Sequence, residues 1–112
     1  MGPIDIPSEL EFLSFFGVEP SVEESMVCYS IQDKSKVQLK FYLDEVSNNL
    51  GITLTYRDFT IRNSYEELTR IQFIKKHNHE VLSAECTYSG CTIKVELSIY
   101  PNINLSCESI SI

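Results

Sequence analysis

A chain of 112 residues with 43% hydrophobic content is large enough to close an apolar core and falls in the size range of one domain. Nine Lys or Arg against 16 Asp or Glu leave a formal charge of -7, the wrong sign for a surface that neutralises phosphates, so nucleic acid is not expected as a direct partner. No run of about 18 apolar residues is present to span a bilayer. Met1 to Pro7 has neither the basic start nor the apolar stretch of a signal peptide, and cytoplasmic residence is expected.

The first element is marked by its caps. Ser8 and Glu11 have the spacing of a capping box, the apolar residues Leu10, Phe12, Leu13, Phe15 and Phe16 follow, and Gly17 is placed to end the segment. The spacing predicts one short helix, preceded by an extended segment over residues 1–7. Leu10, Leu13 and Phe16 lie along one face, which Phe12 and Phe15 widen, so the helix is expected to lie against a sheet; an exposed aromatic patch is the alternative.

After Pro20 the period changes from helical to alternating. Ser25 to Ile31 is rich in strand formers, and Val37, Leu39, Phe41 and Leu43 alternate with polar or amphipathic neighbours. Asp33 to Lys36 connects these two strands, and Ser47 to Gly51 forms the next turn. Ile52, Leu54 and Tyr56 share one face of the following strand, whereas Phe59 and Ile61 fall on the opposite parity, which predicts a bulge or bend near Arg57-Asp58. Asn63 to Leu68 suits a turn or a single helical turn, Thr69 to Lys75 a strand, and Lys76 to Glu80 a polar loop.

Cys86 to Leu97 poses a choice between a metal knuckle, a disulfide and a hairpin. A two-residue turn at Ser89-Gly90 sets Tyr88 opposite Cys91 and Cys86 opposite Ile93, and gathers Leu82, Ala84, Cys86, Tyr88, Cys91, Ile93, Val95, Leu97 and Ile99 on one face. In that register the two cysteines are diagonal neighbours at roughly 7–8 Å, too far to bond without movement. Cys28 and Cys107 stand alone in sequence, so the spacing lacks the paired short motifs of a zinc site, and reduced, buried thiols are expected. Pro101-Asn102 makes the last turn. Ile103, Leu105 and Cys107 then share a parity that Ile110 and Ile112 break, which predicts a second irregularity near Glu108-Ser109.

The fold expected is therefore α+β, mostly β: one short N-terminal helix packed on a twisted antiparallel meander of about seven or eight strands, as one domain over 1–112. The meander is drawn either as an open sheet curled round the helix or as a small two-layer sandwich.

Catalytic chemistry finds no linear signature here. The sequence lacks Gly-x-Ser-x-Gly, His-Glu-x-x-His, a Walker loop and Gly-x-Gly-x-x-Gly. His77 and His79 could share a strand face and hold a metal, but a loop placement argues against it. No cofactor is expected. The acidic residues carry a different signal because they occur doubled, as Glu23-Glu24, Asp44-Glu45 and Glu66-Glu67, with Glu19 before the first pair. Tyr42 and Tyr65 adjoin the second and third pairs, and tyrosine beside carboxylates combines contact area with charge as protein interfaces do.

Three stretches carry a resemblance: Phe15-Phe16-Gly17-Val18-Glu19-Pro20-Ser21 after the helix, Ile52 to Phe59, and the closing pair Cys91 to Leu97 and Ile103 to Ile112. Together they resemble the small immunity proteins of bacterial polymorphic-toxin and contact-dependent growth inhibition systems. Where such chains often carry a His-Asp pair soon after Pro-Ser, this one has Val22-Glu23-Glu24-Ser25. The resemblance implies an antitoxin without catalysis of its own that binds one cognate toxin domain, many of which are nucleases with basic substrate grooves. On that basis Glu19, Glu23, Glu24, Tyr42, Asp44, Glu45, Tyr65, Glu66 and Glu67 are the expected toxin-binding residues. A non-enzymatic β-rich adaptor or small-ligand module is the alternative.

Overall fold

The computed structural model describes residues 5–111, the last two by their backbone alone. Helix α1 spans Glu9–Phe16. Ser8 caps it as the sequence implies: its hydroxyl accepts from the Glu11 N–H while the Glu11 carboxylate accepts from the Ser8 N–H, which satisfies donors at the helix start that have no intrahelical partner. Gly17 ends the helix with φ 71, a left-handed conformation that a side chain resists, and its N–H donates to the Leu13 carbonyl at 2.8 Å.

Among the described residues nine strands follow, in two antiparallel sheets rather than one meander of seven or eight. The first holds β1 Ser21–Glu23, β2 Met26–Gln32, β3 Gln38–Asp44, β4 Asn49–Tyr56 and β5 Phe59–Tyr65, in that order. The second holds β6 Leu68–Lys76, β7 His79–Tyr88, β8 Cys91–Ser98 and β9 Asn104–Ser111. The extra strands are the ones whose sequence hides them. β1 is three residues long and exposed throughout, so it has no alternation to read. β5 occupies much of the stretch expected as a turn, and the chain changes sheet at Glu66-Glu67.

The parity change near Arg57-Asp58 has a simpler cause than a bulge. Tyr56 pairs with Phe59 across a two-residue turn whose Arg57 has φ 55, and a turn of that length moves the inward positions from even on β4 to odd on β5. The same parity rule places Tyr88 opposite Cys91 and Cys86 opposite Ile93, as expected for the Ser89-Gly90 turn. The irregularity expected near Glu108-Ser109 does not occur, since β8 and β9 pair without a slip from Ser98 and Asn104 to Cys91 and Ser111. A slip occurs instead between Leu68 and Arg70 on β6. Ile112 and residues 1–4 of the expected extended segment lie outside the described residues, while Asp5 makes a parallel bridge to Arg70.

Each sheet turns one face to a shared core. On the first, rows of paired residues run Val27, Leu43, Leu50 and Tyr29, Phe41, Ile52; on the second the core takes Ile71, Leu82, Ala84, Cys86, Val95 and Leu97. The helix closes one side of this sandwich with its aromatic residues. Phe16 stacks on Tyr29 at 4.6 Å and meets Phe41 at 5.1 Å, while Phe12 and Phe15 reach Phe73 of β6 at 5.5 and 4.9 Å. The buried face is therefore Phe12, Phe15 and Phe16, spaced i, i+3 and i+4, and Leu10 is left 76% exposed, contrary to its expected place on the packed face. Three aromatic rings fill the wedge between the sheets, so the rotation of the helix follows them rather than its leucines.

Candidate protein-binding interface

The three acidic pairs converge because the first sheet is an up-and-down meander. Met26 is paired with Asp44, and Asp44 with Asn49, so the β1–β2 and β3–β4 turns share one end of the sheet. Leu50 pairs with Tyr65 at that same end, which brings the Glu66-Glu67 link beside them. With strands about 4.8 Å apart, successive acidic turns stand roughly 7–10 Å from one another. Glu23, Glu24, Asp44, Glu45, Glu66 and Glu67 thus form one acidic pole, and no Lys, Arg or His occurs in residues 21–28, 42–51 or 64–68 that build it. Lys34, Lys36 and Arg57 lie in the turns at the opposite end of the sheet, so the molecule carries its charge asymmetrically.

Backbone and side-chain hydrogen bonds hold this pole. The Asp44 carboxylate accepts from the N–H groups of Val46 and Ser47 at 3.1 and 3.3 Å and from the Ser25 hydroxyl at 3.3 Å, tying two acidic turns together. A further bond from the Ser47 hydroxyl, the largest cause, together with these favours the ionised form and holds its pKa below the ordinary aspartate value. The third turn is fixed by the Leu68 N–H on the Asn48 carbonyl at 2.9 Å, the Thr87 N–H on the Glu67 carbonyl at 3.1 Å, and the Glu66 N–H on the Tyr88 hydroxyl at 3.0 Å. Glu24 and Glu67 both sit at positive φ, 56 and 57, which turns their side chains away from the ladder into solvent.

The two tyrosines divide. Tyr42 is on the outer face of the first sheet, flanked by Met26 and packed over Gly51, where an added Cβ would lie 3.6 Å from the Tyr42 Cβ. Tyr65 faces the space between the sheets, half-buried against Cys107, and burial raises its pKa to about 12. Glu19 stands apart from the pole, on the rim of a groove between α1 and the start of the first sheet that encloses about 590 Å³. Leu10, Val22 and Val27 are among its apolar walls, and Glu9, Glu19 and Glu45 mark its edge. Glu45 belongs to both features, so the groove opens onto the acidic pole. Sequence reasoning missed the groove because Leu10 reads as a core residue and Val22 belongs to a strand too short to detect.

The thiols are all unbonded, but only Cys86 is buried as expected, its pKa raised to about 11 first by desolvation, while Cys28 and Cys91 are half-buried and Cys107 is exposed. His77 lies exposed in the β6–β7 turn, and the His79 ring is 5.9 Å from that of Tyr100. Among the described residues no group of three or more His, Cys, Asp or Glu is arranged to hold a metal ion, and no helix is long and apolar enough to cross a membrane.

Comparison with known proteins gives no match to a family model and none among curated proteins. Among solved structures, the chain is similar to a chain of the contact-dependent growth inhibition toxin–immunity protein complex from Klebsiella pneumoniae 342, with a TM-score of 0.88 and 24% identity. The superposition covers 98% of this chain and 100% of that one. The nine-strand, one-helix architecture is therefore shared with a component of such a complex, in line with the resemblance carried by the sequence.

Proposed function

We propose that this protein is the immunity partner of a contact-dependent growth inhibition toxin, and that it neutralises a basic toxin domain by covering it with the acidic pole. The observation that carries the reading is the convergence of Glu23, Glu24, Asp44, Glu45, Glu66 and Glu67 at one end of a fold shared with a component of a toxin–immunity complex. An anionic face of this size steers a cationic partner and fixes its approach, because complementary fields raise the encounter rate and penalise other orientations. A nuclease fits this description, since its substrate groove must attract phosphates. Tyr42 adds contact area beside the pole, Tyr65 supports the Glu66-Glu67 link from within, and Glu19 extends the acidic surface toward the helix. Binding alone performs the inhibition, in the cytoplasm of the cell that makes the protein, with no cofactor.

The test is co-expression with the toxin domain encoded directly upstream of the gene, with growth and toxin capture measured together. Growth should be restored, and the tagged protein should retain the toxin at low salt and less of it at high salt. A toxin that kills in the presence of the folded protein overturns the proposal.

A further inference from the structure

The groove between α1 and the first sheet has a chemistry distinct from that of the pole it adjoins. Its volume of about 590 Å³ lies in the range, about 300–1,000 Å³, in which proteins bury ligand groups. Leu10 and Val22 flank it from two elements at 76% and 66% exposure, both large apolar side chains left to water. Glu9, Glu19 and Glu45 stand at its edge, and among the described residues that line it none is basic. An apolar trough with an anionic edge matches one kind of occupant: an apolar side chain flanked by cations. A neutral hydrophobic ligand would leave the carboxylates unmatched, and a bare cation would leave the apolar walls in water.

We propose that this groove seats an apolar anchor of the toxin, a leucine, methionine or aromatic side chain flanked by lysine or arginine, so that recognition combines long-range steering at the pole with short-range burial beside it. The proposal rests on the immunity reading above. It separates two roles by rate. Charges at the rim act on encounter and so on association, while apolar contacts that form only after docking act on dissociation.

The experiment measures association and dissociation rates of the upstream-encoded toxin domain against surface-held protein at two salt concentrations. Leu10→Ser with Val22→Ser should speed dissociation about tenfold, with association and its salt dependence unchanged, as expected for the loss of buried anchors. Glu19→Lys, in an exposed segment outside helix and strand, should slow association by several-fold at low salt. Phe59→Ser, which removes an equally exposed apolar side chain at the far end of the sheet, should change neither rate. Circular dichroism of each variant checks folding, and Glu19→Lys serves as the readout should the double variant fail to fold. Unchanged rates in the groove variants, with weaker binding after charge reversal at the pole, would overturn this inference and leave the immunity reading standing. Absence of toxin binding by the unaltered protein would overturn both.

Discussion

Reversing Glu24, Glu66 and Glu67 to Lys inverts half of the acidic pole at exposed positions and leaves its turn-forming aspartate in place. Each reversal adds two charges, so the net charge moves from -7 to about -1. If each site faces a cation of the toxin at about 8 Å, one unit of charge is worth about 0.5 kcal/mol in water before salt, and six units about 3 kcal/mol. Screening over that distance leaves about 2.4 kcal/mol at 0.01 M salt, where the Debye length is about 30 Å, and about 1 kcal/mol at 0.15 M, where it is about 8 Å. Binding should therefore weaken roughly 50-fold and 6-fold at those two salt concentrations, and almost not at all at 1 M. The matched control carries Asp58→Lys, Glu80→Lys, Gln32→Lys and Thr60→Lys, which reaches the same net charge of about -1 at the opposite end of the molecule. Stopped-flow association kinetics of the two variants against the toxin domain is the assay. Equal slowing by the control would show that net charge matters and the pole does not, and an unchanged pole variant would remove the interface from this end of the molecule.

Stability makes further tests. Asp33 accepts from the N–H groups of Ser35 and Val37 at 2.9 and 3.0 Å and, across the sandwich, from the Ile103 N–H at 2.9 Å. The bond from Ile103 is the largest cause that holds its pKa below the ordinary value of 3.8. A folded pKa below the unfolded one means stability that is fully present above about pH 4 and lost as pH falls through the folded pKa. Thermal melts should therefore be flat from pH 7 to about 5 and decline in acid, less steeply in Asp33→Ala, which starts lower. Phe16→Ala should cost about 3–5 kcal/mol in urea unfolding, whereas Phe59→Ala should stay within about 0.5 kcal/mol; comparable losses would refute the assignment of the helix to the core. Cys86 should resist a thiol reagent at pH 8 until the protein unfolds, while exposed Cys107 reacts in the native state; rapid native labelling of Cys86 would contradict its burial. Glu24→Gln with Glu66→Gln and Glu67→Gln should raise the melting temperature at low salt by relieving like-charge repulsion, and a lowered one would mean that these carboxylates support the fold.

The sequence disclosed turns where their chemistry is conventional and concealed them elsewhere. Ser89-Gly90 places a glycine with φ 81 where one is wanted, so the hairpin and its register could be read off. Arg57-Asp58 makes a turn of the same length with a left-handed arginine, and the resulting parity change passed for a bulge. Asp and Arg there meet a demand of tertiary structure that local propensity does not announce. The acidic pairs were legible as pairs but not as one pole, because their union depends on strand order. One signal was available: the pairs begin at 23, 44 and 66, and in a meander of seven- to eight-residue strands two strands and two turns occupy just such an interval. Charge repeated at the length of a hairpin pair returns to the same end of the sheet. Leu10 shows the opposite limit, since an eight-residue helix carrying five large apolar side chains has no pattern sharp enough to say which ones the wedge accepts.

The pole opposes folding, and on the proposed function it serves binding; the arrangement around it answers that conflict. Six carboxylates at one end of a sheet repel one another, so a loose set of turns would splay and spread the charge. Here Asp44 binds the Ser25 hydroxyl of the neighbouring turn, Asn48 accepts from Leu68, and Tyr88 and Thr87 of the second sheet grip the Glu66-Glu67 link. These bonds spend backbone groups and one carboxylate on rigidity, and leave the other five carboxylates exposed on fixed turns and, for Glu23, at the end of β1. A charged face held in place loses little conformational freedom on association, which favours affinity without added contact area. The core, built from the inner faces and the three phenylalanines of the helix, takes no part in that surface. Glu24 or Glu67 can therefore be exchanged without touching a buried side chain, so the fold sets the position of the pole while its charges remain free to vary.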